Sequence, residues 1–174
     1  MGCGSSTTTL IVIRGNSGSG KSTVAEQLRA QCRGVAIVGQ DNLRRVVLKD
    51  KDRPGAANIG LIDLVTRYAL DAGYTTVLEG ILSIAHYGDM LAGLLDDLAG
   101  DSFCYYMDVP FEETLRRHAT KPNAHEFGRA QMESWWRERD FLPGGVEQVL
   151  TSSLSADAAA AQIVKDAGLD RQSA

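Results

Sequence analysis

The 174-residue sequence predicts a three-layer α/β fold around a five-stranded, mostly parallel sheet. Three observations carry that expectation. Short apolar, β-branched runs alternate with helical periodicities along the chain. The first run leads directly into Gly15-Asn16-Ser17-Gly18-Ser19-Gly20-Lys21-Ser22, which satisfies G-x-x-x-x-G-K-[ST] at every fixed position. No internal repeat or second composition interrupts the pattern, and this length suits one domain with a sizeable core.

Leu10-Ile11-Val12-Ile13 reads as a buried first strand. Ser22 to Leu28 reads as a helix with Val24 and Leu28 on one face. Val35-Ala36-Ile37-Val38, between Gly34 and Gly39, is the second strand. A helical stretch starts near Asp41 and breaks at Arg53-Pro54-Gly55. Leu61, Leu64, Val65 and Tyr68 recur at i, i+3, i+4, i+7 and predict an amphipathic helix that Gly73 closes. Tyr74 to Leu78 is the third strand, and Met90, Leu91, Leu94, Leu95 and Leu98 mark a helix ending at Gly100. The fourth strand is Phe103 to Met107, after which Pro110 opens a helix in the favoured first position. A polar stretch over 120–127 precedes a helix over about 128–140, with Arg129, Arg137 and Arg139 on it. Val146 to Leu150 is the fifth strand, and Ser155 caps an Ala-rich helix that stops at Gly168. Residues 1–8 read as a flexible leader and 9–174 as one domain, with a helical lid over about 116–140.

A hydrophobic content of 44% and a charged content of 23% are those of a soluble globular chain. The net charge of −4 argues against bulk attraction to nucleic acid or an anionic membrane. Its distribution is uneven. Residues 41–53 carry five cations against three carboxylates, and 116–139 carry six (Lys121 among them) against three. Cys3, Cys32 and Cys104 are too few and too scattered for a disulfide framework or a zinc site. No signal peptide or 18-residue apolar run is evident, so a cytoplasmic location is expected. Met1-Gly2-Cys3-Gly4-Ser5-Ser6 fits the myristoylation pattern, with Cys3 a palmitoyl position, but such short patterns recur by chance and the expected reading is a Gly/Ser/Thr leader without a membrane partner.

The loop chemistry follows from its residues. Gly15, Asn16, Ser17, Gly18, Ser19, Gly20, Lys21, Ser22 and Thr23 form the expected nucleotide cradle, glycines turning backbone N–H groups toward a polyphosphate at a helix N-terminus. Lys21 reaches the β/γ-phosphates and the Ser22 hydroxyl ligates Mg²⁺, so ATP and Mg²⁺ are the expected cofactors. No Asn-Lys-x-Asp motif of a GTP-dependent switch is present, and Asp97-Leu98-Ala99-Gly100 falls at a helix end. Asp41, after the second strand, lies where open α/β sheets place ligands; it is a general base for an acceptor hydroxyl or a helix cap. Arg44, one turn on, faces the same acceptor, and Arg45 follows it. Glu79, after the third strand, is a metal or acceptor ligand or a scaffold carboxylate bonded to the loop. Arg116 and Arg117 are the first lid arginines, although Glu112 and Glu113, four residues earlier, offer each an ion pair. Of Trp135 and Trp136, one packs inward and the other faces the cleft, while His86, His118 and His125 are lid or surface residues without metal spacing.

On these motifs a resemblance is specific. Gly15 to Ser22 followed by Gln40-Asp41-Asn42-Leu43-Arg44-Arg45 resembles the P-loop kinases that phosphorylate hydroxyls of nucleosides, sugars or polynucleotide ends. Asp-x-x-Arg is similar to the polynucleotide kinase and zeta-toxin branch, and Glu79-Gly80-Ile81 to uridine kinases and phosphoribulokinases. Phe111 to His118, His125 to Gly128 and Trp135 to Asp140 look like a group of small bacterial kinases loosely termed uridine kinases. The resemblance implies a P-loop NTPase fold and transfer of the γ-phosphoryl group to a small-molecule hydroxyl, best a nucleoside or nucleoside-like one. A polynucleotide 5′-hydroxyl kinase and a regulatory ATPase without an acceptor are the alternatives. The chain is shorter than authentic uridine kinases and its arginine-rich segment departs from theirs.

Overall fold

The computed structural model describes residues 2–120 and 124–169, so Lys121 lies outside the described residues. Five strands, β1 (Thr9–Gly15), β2 (Val35–Gly39), β3 (Thr75–Gly80), β4 (Asp101–Asp108) and β5 (Glu147–Thr151), form one sheet in the order β2-β3-β1-β4-β5. Every pairing is parallel, which goes beyond the mostly parallel expectation. Parallel neighbours need crossovers, and helices supply them: α1 (Lys21–Gln31), α2 (Ala57–Asp71), α3 (Ile84–Asp97), α4 (Phe111–Ala119), α5 (Arg129–Trp135) and α6 (Ala156–Asp166).

β1 is central and buried on both faces. Its residues alternate, so Ile11 and Ile13 join Val24, Leu28, Tyr105 and Ile163 in one cluster. Leu10 and Val12 join Ile62, Leu70, Leu78 and Leu91 in the other. Each such side chain contributes about 1.5–3 kcal/mol through burial. All five β-strands point their carboxyl ends to one edge, where the loop after β1 emerges.

Four sequence expectations are corrected. α2 buries Asn58, Ile62, Thr66, Ala69 and Leu70, whereas Leu64 and Tyr68 are 64% and 73% exposed. Polar residues belong to the buried face because they are bonded there: Asn58 Nδ2 donates to Tyr87 Oη at 2.8 Å and Thr66 Oγ1 to Ile62 O at 2.7 Å. The flexible leader is instead built in. Cys3 is buried, its N–H donates to Asp97 O at 3.0 Å, and its C=O accepts from Ala99 N at 3.0 Å, which satisfies backbone groups at the end of α3. Burial raises the Cys3 thiol pKa, an environment opposed to thiolate chemistry. The stretch after Asp41 is a short π-helical segment, Asn42–Val47, closed by Leu48 N–H to Leu43 O at 3.1 Å.

The helix expected to reach residue 140 stops at Trp135, so Arg137 and Arg139 lie outside it. Asn16 is the reason. Its side chain accepts from Arg137 N at 2.9 Å and donates to Arg137 O at 2.7 Å, claiming both backbone groups that a continuing helix needs. Pro110 precedes α4 as its cap residue, and Ser155 Oγ accepts from Ala158 N at 3.1 Å as a cap should. No described helix is long and apolar enough to cross a membrane.

Candidate active site

The loop after β1 turns through Gly18 at φ +79°, where a Cβ would stand 2.5 Å from Thr114 O on α4. A side chain there meets both a left-handed backbone and an immovable carbonyl. Gly18→Ala is expected to weaken binding of a fluorescent ATP analogue by about tenfold or more while the thermal transition stays cooperative; unchanged affinity would contradict this packing. Lys21 is buried, and its Nζ donates to Asn16 O at 2.9 Å and lies 3.4 Å from Ser19 Oγ, bridging the loop it is to serve. Ser22 and Thr23 open α1 with exposed side chains.

Glu79 lies inside β3, opposite Ile13, rather than after it. Its buried carboxylate accepts from Ser22 Oγ at 3.2 Å. This fits Mg²⁺, which takes hard oxygen ligands, keeps several waters and uses few protein groups beside the phosphates. Among the described residues no group of three or more His, Cys, Asp or Glu side chains forms a metal cluster. Ser22 Oγ and the Glu79 carboxylate are the groups here that could hold a Mg²⁺ ion.

Three cavities line up along this edge of the sheet. A small one of about 60 Å³ is lined by Gly18, Lys21, Ser22, Asp41 and Glu79. Beside it, about 420 Å³ is bounded by Asp41, Arg44, Arg45, His86, Phe127 and Trp135. On the far side of the loop, about 390 Å³ is lined by Asn16, Phe111, Trp136 and Arg139. Trp135 and Trp136 thus serve different cavities because the backbone leaves the helix between them. Asp41 borders both the loop cavity and the large one. Its side chain is 67% exposed, makes no cap hydrogen bond, and accepts from Arg44 Nη2 at 2.8 Å.

The arginines divide. Arg117 donates to Ser19 O at 2.9 Å and to Ser152 O at 3.4 Å, with Glu113 Oε1 2.7 Å from its Nε, so it braces the phosphate loop. Arg116 is 78% exposed, binds the same Glu113 and faces solvent. Glu112, its expected partner, instead pairs with Arg129 at 2.7 Å. These contacts lower the pKa of both glutamates through hydrogen bonds from arginine. Arg45 meets the segment before α5, with Glu126 at 3.0 Å and the Phe127 ring centroid at 5.6 Å. His118 is buried, not on the surface: it stacks on Phe127 at 4.3 Å, and one ring nitrogen lies 2.9 Å from Phe127 O.

Several supporting residues escape a motif reading. Gln40 Oε1 accepts from Leu82 N at 3.0 Å, and its Nε2 donates to Tyr87 Oη at 2.8 Å. Tyr87 Oη donates to Asp52 at 2.9 Å, and His86 Nδ1 lies 3.2 Å from the same carboxylate. Burial and the Asp52 charge push the Tyr87 hydroxyl up to about 12, so it remains a donor at neutral pH. Arg14 is fully buried at the end of β1. An arginine interrupting an apolar strand must be paired, and that was the available signal.

A family model described as an AAA domain matches residues 10–142. No curated protein matches the chain. Among solved structures, APS kinase from Mycobacterium tuberculosis, in complex with AMPPNP and APS, aligns with a TM-score of 0.67 at 21% identity, over 95% of this chain and 98% of that one. The tunicamycin resistance protein of Deinococcus radiodurans aligns at 0.64 and 20%, over 93% and 96%. A gluconokinase from Sinorhizobium meliloti 1021 aligns at 0.61 and 15%, over the whole of both chains. At these identities the likeness establishes the fold, an α/β domain of the P-loop NTPase type.

Proposed function

We propose, from the premise that this chain belongs to the AAA-domain family, that it is an ATP- and Mg²⁺-dependent kinase acting on a hydroxyl of a small molecule. One observation carries this reading: Asp41 borders the phosphate-loop cavity and the large adjoining cavity at once. A carboxylate at that junction can take the proton of an acceptor hydroxyl while its oxygen attacks the γ-phosphorus. The bond from that phosphorus to the bridging oxygen breaks, and its electron pair stays with ADP.

Lys21 and the loop N–H groups hold the β- and γ-phosphate oxygens, and Arg117 keeps the loop in shape from α4. Ser22 and Glu79 would hold Mg²⁺, which supplies neutralisation of charge on the phosphates. Arg44, bonded to Asp41, orients the base toward the acceptor, with Arg45 beside it. Asn16, Phe111 and Trp136 border the cavity assigned to the nucleoside part of ATP. Arg116, pointing to solvent, has no part in this scheme. The relative solved with AMPPNP supports ATP as donor. A nucleoside or nucleoside-like acceptor is the finer assignment, supported by the exposed indole of Trp135 at the cavity wall and by the Glu-Gly-Ile element at Glu79. The test is ADP release across a panel of nucleosides, sugars, hydroxylated antibiotics and short oligonucleotides. A small-molecule hydroxyl compound is expected to raise turnover well above basal hydrolysis, with the phosphorylated product identified by mass. If none does, the kinase reading fails.

A further inference from the structure

We infer that the acceptor carries, beside its reacting hydroxyl, an oxyanion group of the phosphate-monoester type next to a flat apolar portion; this rests on the kinase reading above. The cavity of about 420 Å³ carries surplus positive charge and, among the described residues, cations without carboxylate partners. Three carboxylates line it, and each is engaged. Asp41 accepts from Arg44 at 2.8 Å. Asp52 accepts from Tyr87 Oη at 2.9 Å and lies 3.2 Å from His86. Asp50 accepts Lys51 N–H at 2.7 Å, with Arg53 4.0 Å away.

Four cations line the same cavity: Arg44, Arg45, Lys51 and Arg137. Arg45 is paired with Glu126. Among the described residues, Lys51 and Arg137 have no carboxylate partner; Arg137 gives one N–H to Trp136 O at 2.9 Å. Arg44 Nε is buried and makes no hydrogen bond, although its Nη2 is occupied. A buried donor without a partner is costly, so Arg44 is not fully answered by Asp41. A neutral hydroxyl compound leaves this surplus unanswered. A phosphate group offers three strong acceptor oxygens, which suits one point charge and separated guanidinium donors better than a single-plane carboxylate does.

Among these cations Phe127 is covered by the stacked His118 ring and by the Arg45 guanidinium, while Trp135 meets it edge to face at 5.0 Å and keeps 40% of its surface exposed at the cavity wall. An exposed indole beside cationic groups matches a ligand with an anionic end and a flat end. The anion takes no part in bond making. It fixes the acceptor so that its hydroxyl meets Asp41.

The probe is phenyl phosphate, titrated calorimetrically into protein saturated with Mg²⁺ and AMPPNP so that the phosphate loop is already filled. Phenol and benzoate are the comparison compounds. Phenyl phosphate is expected to bind about tenfold or more tightly than phenol, with benzoate weaker than the phosphate. Lys51→Ala is expected to lose about tenfold of that affinity, and Lys51→Arg to keep most of it. Phenyl phosphate binding no better than phenol, or binding indifferent to Lys51→Ala, overturns the inference. A turnover arm uses adenosine, uridine and hexoses against their monophosphates. Turnover raised by the monophosphates above the neutral parents supports it. Neutral parents phosphorylated as efficiently as the monophosphates overturn it and leave the kinase reading standing. ADP release unmoved by either set, alongside Lys51-dependent binding of phenyl phosphate, refutes the kinase reading and keeps the anion site.

Discussion

Replacing Asp41 by asparagine is expected to abolish most phosphoryl transfer while sparing nucleotide binding. General-base catalysis is worth about 10²- to 10⁴-fold, and that is the expected drop in kcat with a true acceptor. Asparagine keeps the size and can still accept from Arg44 through its amide oxygen, so Arg44 stays oriented. It cannot take a proton. Asp41 is largely exposed and closes no helix cap, so the folded state loses little by the change. The dissociation constant for AMPPNP is expected to move by no more than about twofold, the scale of an ordinary surface substitution. Pre-steady-state ADP release gives the first quantity and calorimetry the second. Full turnover in Asp41→Asn would sink the base assignment. A loss confined to the acceptor KM would recast Asp41 as a binding group.

The contrast with Arg44 sharpens that test. Arg44→Ala removes the contact that holds the Asp41 carboxylate and also removes a donor at the acceptor cavity. It is expected to raise the acceptor KM as well as lower kcat, whereas Asp41→Asn acts on kcat alone.

The layers of this molecule were legible in the sequence to different depths. The positions of β1 and β3 came from apolar runs, since a strand buried on both faces has no polar alternation to misread. The loop was legible because its backbone geometry demands glycines at fixed spacing. Helix faces were less so. On α2, the aliphatic Leu64 lies outside while Asn58 and Thr66 lie inside, bonded to Tyr87 and to a backbone carbonyl. Hydropathy scores a side chain alone, and burial of a polar group depends on a partner far along the chain. The end of α5 shows the same limit. Nothing local in Trp136-Arg137-Glu138 ends a helix; Asn16, some 121 residues earlier, does so by taking both backbone groups of Arg137. Arg116 and Arg117 were indistinguishable in sequence. Their separation needed the position of Ser19, which receives only Arg117.

Arg14 is where the second large effect is expected, and it falls on stability. Its guanidinium is fully buried and donates from three nitrogens: Nε to Leu82 O at 3.0 Å, Nη1 to Glu147 Oε1 and Asp140 O at 2.8 Å each, and Nη2 to Asp140 Oδ2 at 3.0 Å. Each of the two carboxylates has a second duty. Asp140 Oδ2 also takes Ile84 N–H at 2.9 Å at the start of α3, and Glu147 Oε2 takes Leu142 N–H at 2.6 Å. One side chain of β1 therefore ties β5, α3 and the segment after α5 to the strand that delivers the phosphate loop. Arg14→Met leaves the Glu147 carboxylate, only 2% exposed, without its counter-charge. Breaking a buried pair in this way costs about 3–5 kcal/mol, which urea denaturation would read directly. Arg14→Lys keeps the charge but not the fork, and is expected to recover only part of the loss. Adding Glu147→Gln to Arg14→Met should restore some stability, because the remaining penalty is largely a stranded charge. If Arg14→Met cost under about 1 kcal/mol, the value of an exposed pair, the buried hub would carry no such weight and Asn16 alone would have to hold the lid against the loop.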